Sequence, residues 1–136
     1  MIRNAALFLS LALGGCTQPI LADACRQVGA PPLLAAQLLF GLARPGGGAV
    51  TPAQWQRFLD THITPRFPQG LTVLDGAGQW RGDDGRLVRE ASKVVLIAPG
   101  PASAPVGRLQ AIRDEYRAEF AQESVGLVLT SGCASF

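Results

Sequence analysis

The sequence predicts a single α+β domain with a four-stranded antiparallel sheet and two helices on one face of that sheet. The chain has 136 residues, which is enough for one domain. It is 48% hydrophobic with a net charge of only +2, a composition that excludes a disordered chain and disfavours nucleic-acid binding. Segments with strand and helix periodicity alternate in the order β-α-β-β-α-β, which is the ferredoxin-like order.

The first half of the domain predicts a strand followed by a helix. The apolar run 35–43 ends at "RPGGG" and is typical of a buried strand. The helix is predicted to begin after Thr51, because Thr51 and Gln54 match a capping box and Pro52 stands at the first helical position. Pro65 ends it. Its apolar residues share one helical face and are Trp55, Phe58, Leu59 and Ile63.

The second half predicts a hairpin, a helix and a last strand. Residues 71–81 and 86–98 are the two strands of the hairpin, and "GDDG" between them is the turn. Ser103 is predicted to cap the second helix, and residues 123–130 form the last strand. The second helix repeats apolar residues at spacings of three and four, namely Val106, Leu109, Ile112, Tyr116 and Phe120.

The first fifteen residues predict a lipoprotein signal peptide. Arg3 supplies a positive charge, and the apolar run 5–13 is too short to span a bilayer, which needs about 20 residues, but suits a signal sequence. The run ends in "LGGC", which resembles the lipobox of bacterial lipoproteins. This resemblance implies cleavage after Gly15 and attachment of lipid to Cys16, the residue that would anchor the protein in a membrane.

The residues after Cys16 bear on where the protein resides. Since Thr17 rather than aspartate follows the cysteine, we expect an outer-membrane lipoprotein that faces the periplasm, if the cell is Gram-negative. Ordinary signal cleavage after "ADA" (22–24) is the alternative and would release a soluble secreted or periplasmic protein. Residues 16–34 are expected to be a tether and lead-in, and residues 35–136 the domain.

Cys25 and Cys133 are left as an even pair under either kind of processing. Exported thiols tend to be oxidised, so a Cys25–Cys133 disulfide is predicted. The fold agrees, because the start of the first strand lies beside the end of the last strand in a ferredoxin-like sheet. Two cysteines with no nearby histidine make a poor metal site, so neither a metal nor a cofactor is expected.

From about residue 37 onwards the chain resembles a family of small exported bacterial proteins catalogued as a domain of unknown function, number 3574. The segments that carry the resemblance include "TPRFPQGLTVLDG", "GQW", "REASK" and "QESVGLVLTSGCASF". The resemblance implies export, often as a lipoprotein, and it implies no particular activity.

The charged hairpin "QWRGDDGRLVREASK" is the best candidate for a binding site. A two-residue turn at Asp83 and Asp84 would place Trp80 opposite Leu87. Two groups of side chains are then expected on opposite faces of the sheet: Trp80, Arg89 and Lys93 on one, and Asp75 and Glu90 on the other. These side chains either pair with one another or hold a ligand or partner on the face that the helices leave open.

Two other features have weaker functional interpretations. Arg44 with Gly46, Gly47 and Gly48 is a candidate for a weak anion site before the first helix, although the ending of a P-loop is absent. His62 is the only histidine; it lies near the end of the predicted helix and is interpreted as structural. The sequence contains no G-x-S-x-G motif of a serine hydrolase.

These observations favour a non-enzymatic, lipid-anchored envelope module that binds a small ligand or partner, or has a structural role. The expected partners are the membrane, through the lipid, and a second copy of the chain on the open sheet face. The alternative is a small enzyme, a dimer of the α+β-barrel type with a pocket on that face. This alternative rests on fold analogy.

Overall fold

The structure, a computed structural model, describes residues 19–81, 85–99 and 105–135. Its helices are α1 (Pro19–Gln27), α2 (Pro52–Phe58) and α3 (Val106–Phe120). Its strands are β1 (Pro32–Gly41), β2 (Thr72–Arg81), β3 (Leu87–Ile97) and β4 (Gly126–Cys133). A π-helical turn (Leu59–Ile63) and a 3-10 turn (Thr64–Arg66) continue α2.

The four strands form one antiparallel sheet in the order β2-β3-β1-β4. β1 and β3 are central, while β2 and β4 are the edge strands. In this arrangement the β1-α2-β2 unit is split by β3, which lies between its two strands. The predicted ferredoxin-like α+β fold with an open four-stranded sheet is therefore confirmed.

Helix α2 begins with the capping box that the sequence predicts. The Thr51 hydroxyl accepts from the Gln54 backbone N–H, and the Gln54 side chain accepts from the Thr51 backbone N–H at 2.9 Å. The end of the helix differs from the prediction, because residues 59–63 adopt a π-helical turn before the 3-10 turn that contains Pro65. Pro65 has no N–H with which to continue the α-helical ladder.

An aromatic cluster between α2, α3 and the sheet forms the centre of the core. Phe40 of β1 is fully buried, and its ring meets those of Trp55 and Tyr116 edge-on at centroid distances of 5.1 and 4.8 Å. Phe58 and Phe120 extend the cluster along the two helices. Because both helices pack on Phe40, they cover the same face of the sheet.

The segment before the domain is more ordered than the sequence predicts. Part of the expected tether, residues 19–27, forms α1, and β1 already starts at Pro32. The predicted Cys25–Cys133 pair is brought together with Cα atoms 5.8 Å apart, a separation usual for a disulfide. The disulfide fixes α1 beside the end of β4, so residues 19–27 pack on the domain instead of forming an extended tether.

The predicted signal segment and the predicted cap of the second helix both lie outside the described residues. No helix among the described residues is long and apolar enough to cross a membrane. The signal segment 1–15 and Cys16 lie outside the described residues. Ser103, the predicted cap of the second helix, lies outside them too, and the described part of α3 starts at Val106, directly after Pro105.

Candidate functional site

The hairpin of β2 and β3 has a register one residue away from the predicted one. Trp80 lies opposite Val88 instead of Leu87, and Arg89 lies opposite Gln79. The last pair of the hairpin is Arg81 with Leu87, so the connection is longer than a two-residue turn. Its described part includes Gly85 at φ +77°, a left-handed conformation that favours glycine. A slip of one residue moves every side chain of one strand to the other face relative to its partner.

The predicted grouping of hairpin side chains is therefore wrong. Arg89 and Lys93 point to the face that carries the helices, as does Asp75, whereas Trp80 and Glu90 point to the open face. On the helix-bearing face Arg89 and Lys93 each have a side-chain partner on β2. The Arg89 Nε–H donates to the Gln79 side chain at 2.8 Å, and the Lys93 ammonium pairs with Asp75.

Glu90 is the notable residue of the open face. Its half-buried carboxylate accepts a hydrogen bond from the Ala43 backbone N–H at 3.0 Å. It forms no ion pair with any residue in the described ranges 19–81, 85–99 and 105–135. Arg44 lines the same cleft but forms no ion pair with this carboxylate. Because the carboxylate is partly removed from water without an ion-pair partner among the described residues, Glu90 is the position where a positive ligand would gain most.

Glycines make the space that the Glu90 carboxylate occupies. A Cβ atom at Gly41 would lie 2.5 Å from one Glu90 carboxylate oxygen and 2.8 Å from the other. Gly78, directly opposite Glu90 on β2, leaves room on the other side. Gly41 was not among the predicted site residues, although a glycine inside an otherwise apolar strand is a recognised sign of close approach by another group.

Trp80 and Glu90 face a cleft of about 350 Å³ at one end of the open face. Trp80 is 45% exposed, so part of its ring is free to contact a ligand. The cleft is completed by the loop after β1 and by the segment between α3 and β4. Its lining includes Leu39, Gly41, Arg44, Val88, Gln122 and Gly126.

A larger groove of about 750 Å³ lies at the opposite end of the sheet. Its lining is mostly apolar, with Leu33, Leu71 and Leu96 among the contributors, and Gln37, Gln69 and Thr72 as its polar side chains. It contains no charged side chain in its described lining. We therefore place the candidate site at the Glu90 cleft, where the charged residues Glu90, Arg44 and Glu123 lie near the Trp80 ring.

The glycine loop after β1 contains the residues of the anion site that the sequence predicts, Arg44 and Gly46 to Gly48. Gly46, Gly47 and Gly48 all have positive φ, and the Gly47 N–H donates to the Arg44 carbonyl within the loop. The Arg44 guanidinium lies over the Phe120 ring, 5.8 Å from its centroid. The loop thus closes through its own backbone hydrogen bonds, and the half-buried Arg44 side chain packs against Phe120. The anion site stays a prediction.

His62 is engaged between the two core helices. Its Nδ1 lies 2.8 Å from a Glu115 carboxylate oxygen, and its ring stacks on Phe58 at 4.6 Å. The other Glu115 oxygen accepts from Arg66 at 2.6 Å. These contacts tie the end of α2 to α3, which supports the structural interpretation. No metal-binding cluster of three or more ligands exists among the described residues.

Tyr116 links the core to the back of the candidate site. Its hydroxyl donates to the Gly41 carbonyl at 2.8 Å, on the strand residue beside which the Glu90 carboxylate lies. Burial raises the pKa of Tyr116 well above its ordinary value, and the negative charge of Glu90 raises it further. The hydroxyl therefore remains protonated wherever the domain is folded.

This raised pKa predicts a loss of stability at alkaline pH. A group whose pKa is higher in the folded state contributes stability that is complete below the unfolded-state pKa, about 10 for tyrosine, and lost as pH rises above it. Tyr116 is the only tyrosine, so phenolate absorbance reports it alone. We expect phenolate to appear together with unfolding; its appearance near pH 10 in folded protein would contradict the burial of Tyr116.

Comparisons with known proteins support the fold. A phage SAM lyase in complex with S-methyl-5′-thioadenosine is 22% identical, with a TM-score of 0.56, over 75% of this chain and 90% of that chain. A phage SAM lyase in the apo state is 21% identical, with a TM-score of 0.54, over 77% and 92% of the two chains. At such identities the similarity establishes a shared fold alone.

The sequence comparisons concern the family. No curated protein is significantly similar to this chain in sequence. The family model described as "Protein of unknown function (DUF3574)" matches residues 35–136, which is most of the chain. The match includes β2, β3, β4 and all of β1 except its first three residues. The chain belongs to the DUF3574 family.

Proposed function

We propose that this domain binds a small organic cation in the cleft beside Glu90 and Trp80. The observation that carries the proposal is the half-buried Glu90 carboxylate, which lies in the space left by Gly41 and forms no ion pair with a described residue. A bound cation would supply the missing charge. The exposed Trp80 ring beside it is suited to a cation or a flat group, since aromatic faces attract both.

The size of the cleft limits the ligand to a small molecule. A volume of about 350 Å³ is at the lower end of the range usual for small-molecule sites, about 300–1,000 Å³. The Ser124 hydroxyl at its margin provides a hydrogen-bonding group for a polar part of the ligand, while the Gln122 side-chain amide donates to the Ala43 carbonyl. A compact ammonium or sulfonium compound fits these features.

The experiment is a calorimetric titration of the protein with choline, S-adenosylmethionine and S-adenosylhomocysteine. The last two differ by one methyl group, and only S-adenosylmethionine carries the positive sulfonium. We expect at least one cation to bind, and S-adenosylmethionine to bind more tightly than its neutral analogue. Absence of binding by both cations, or equal affinity for the matched pair, contradicts the proposal.

The variant Gly41→Ala tests the geometry of the same site. The added Cβ would occupy the position of the Glu90 carboxylate, which sits at the end of a flexible side chain and can move away. We expect cation binding to be weakened while the fold is kept. Gly132→Ala is the matched control, because its Cβ would meet no atom within 4 Å in another strand of the sheet.

An enzyme acting on a sulfonium compound is the second candidate. It is favoured by the shared fold with the phage SAM lyase, whose complex contains S-methyl-5′-thioadenosine. In this role Glu90 would bind and orient the positive sulfur beside Trp80. The bond from sulfur to the aminobutyrate chain would break, and its electron pair would pass to sulfur, which becomes the neutral thioether. Incubation with S-adenosylmethionine, followed by chromatography for S-methyl-5′-thioadenosine, tests it. Product formation no faster than in buffer leaves the domain as a binding module.

We propose that this domain resides in the bacterial cell envelope, anchored by lipid on Cys16. The support is the signal-like segment 1–15 that ends in "LGGC", together with a cysteine pair suited to an oxidising compartment. Mass spectrometry of the mature N-terminus is expected to find acylated Cys16, and Cys16→Ser should abolish the acylation. A mature protein that starts unmodified at Cys25 contradicts the anchor.

A further inference from the structure

The two faces of the sheet differ sharply in charge. Glu90 is the only charged residue among the strand positions that point to the open face. The helix-bearing face carries the other four charges of the strands: Asp75, Arg81, Arg89 and Lys93. These four lie on the half of the hairpin that includes its turn, with Lys93 opposite Phe40 of β1.

The open face is apolar where a solvated sheet face is normally polar. Antiparallel sheets with one face in water usually alternate apolar and polar residues along each strand. Here the outward positions carry large apolar side chains that are at least 40% exposed, namely Leu39, Leu74, Trp80 and Val128. Val88, Val94 and Leu96 continue this surface as half-buried residues. The polar residues Gln37, Ser92 and Thr130 lie between them on the same face. Exposed apolar residues grouped in this way are a feature of interaction surfaces.

We propose that a second copy of this chain covers the open face, sheet against sheet. The area is sufficient. Four strands spaced by about 4.8 Å, each about 30 Å long, present a flat area of about 600 Å². This lies at the lower end of the roughly 600–1,000 Å² that each partner contributes to a stable interface. The proposal does not depend on the identity of the ligand.

The distribution of charge favours an identical partner. In a two-fold dimer each patch meets a copy of itself, so any charge on the patch is duplicated across the interface. The open face avoids this repulsion, since its one charge, Glu90, is recessed in the space left by Gly41. Sheet-to-sheet pairing would also cover the Glu90 cleft, so that it becomes a pocket enclosed between two copies.

Two adjacent residues of the edge strand β4 provide a matched test. Val128 is 45% exposed and points to the open face, while Leu129 is 40% exposed and points to the helix-bearing face. Arginine at position 128 would place a charge within the apolar interface, whereas arginine at position 129 would remain outside it. Both positions lie on the same solvent-exposed edge, so their intrinsic effects on the fold should be similar.

The measurement is the molar mass of the full mature protein by sedimentation equilibrium in a non-ionic detergent, corrected for bound detergent. We expect a dimer for the wild type and for Leu129→Arg, and a dissociation constant raised about 100-fold or more by Val128→Arg. A monomeric wild type at micromolar concentration, a larger assembly, or a Val128→Arg protein that dimerises like wild type would overturn the proposal.

A second pair of variants guards against misfolding of the first. Leu74→Arg on the open face and Leu87→Arg on the other face alter leucines of similar exposure, 47% and 44%. Circular dichroism and the intact Cys25–Cys133 disulfide confirm the fold of each variant. Loss of the dimer in Leu74→Arg alone supports the open-face interface, while its loss in both or in neither contradicts it.

Discussion

Replacing both Cys25 and Cys133 with serine is expected to lower the free energy of unfolding by about 4–5 kcal/mol. The disulfide joins residues 108 positions apart, so it closes nearly the whole domain into one loop and removes many conformations from the unfolded chain. The same bond fixes α1 beside the end of β4. Denaturant unfolding under oxidising conditions measures the effect, and α1 should become the first segment to exchange its amide hydrogens.

Reduction of the wild-type protein provides the matching control for the serine variant. A reducing agent should destabilise the wild type by the same amount and leave the double serine variant unchanged. Cys16→Ser should not alter stability in either condition. If reduction does not change the unfolding midpoint of the wild type, Cys25 and Cys133 are not bonded in the mature protein.

Replacing Phe40 with alanine is expected to cost about 3–5 kcal/mol. Phe40 is fully buried on a central strand, and its ring contacts aromatic rings of both core helices. Alanine would leave a cavity between three rigid elements that cannot all close upon it. Thermal and denaturant unfolding measure the loss, which should exceed the effect of any substitution on the open face.

Leu87→Ala is the control for Phe40→Ala. Leu87 is 44% exposed at the start of β3, so its truncation should change stability by less than about 1 kcal/mol. An equal loss in the two variants would show that the core is not centred on Phe40. A large loss confined to Phe40→Ala supports the aromatic cluster as the element that joins α2 and α3 to the sheet.

The element order and the long-range pairing of the cysteines could be predicted from the sequence. Periodic apolar residues mark α2, α3 and the strands, and the Thr51–Gln54 capping box marks where α2 begins. The Cys25–Cys133 pairing followed from the strand order, since β1 and β4 are antiparallel neighbours and Pro32 lies opposite Cys133. The elements and the capping box depend on local sequence, and the cysteine pairing depends on the strand order, so all of them can be predicted from patterns in the sequence.

The candidate site depended on a register that the sequence does not express. "GDDG" suits a two-residue turn, but the paired strands end at Arg81 and Leu87, so the connection is longer. That single shift separates Trp80 from Arg89 and brings it to the face of Glu90. The contact between Gly41 and Glu90 was equally hidden, because it joins two strands that are neighbours only in the folded sheet.

The most direct test of cation binding at Glu90 removes the positive charge from the ligand and the negative charge from Glu90, separately and together. The affinities for S-adenosylmethionine and S-adenosylhomocysteine are measured by calorimetry for the wild type and Glu90→Gln. Glutamine can still accept the Ala43 hydrogen bond, so the fold should be kept. Asp114→Asn is the control, since it removes a negative charge from exposed α3 outside the cleft.

We expect the wild type and Asp114→Asn to prefer the sulfonium ligand by about tenfold or more, equivalent to about 1.4 kcal/mol. Glu90→Gln should bind both ligands with nearly equal affinity, because the charge that distinguishes them has lost its partner. If Glu90→Gln retains the wild-type preference for the sulfonium ligand, Glu90 does not recognise a cation and the proposed site is wrong.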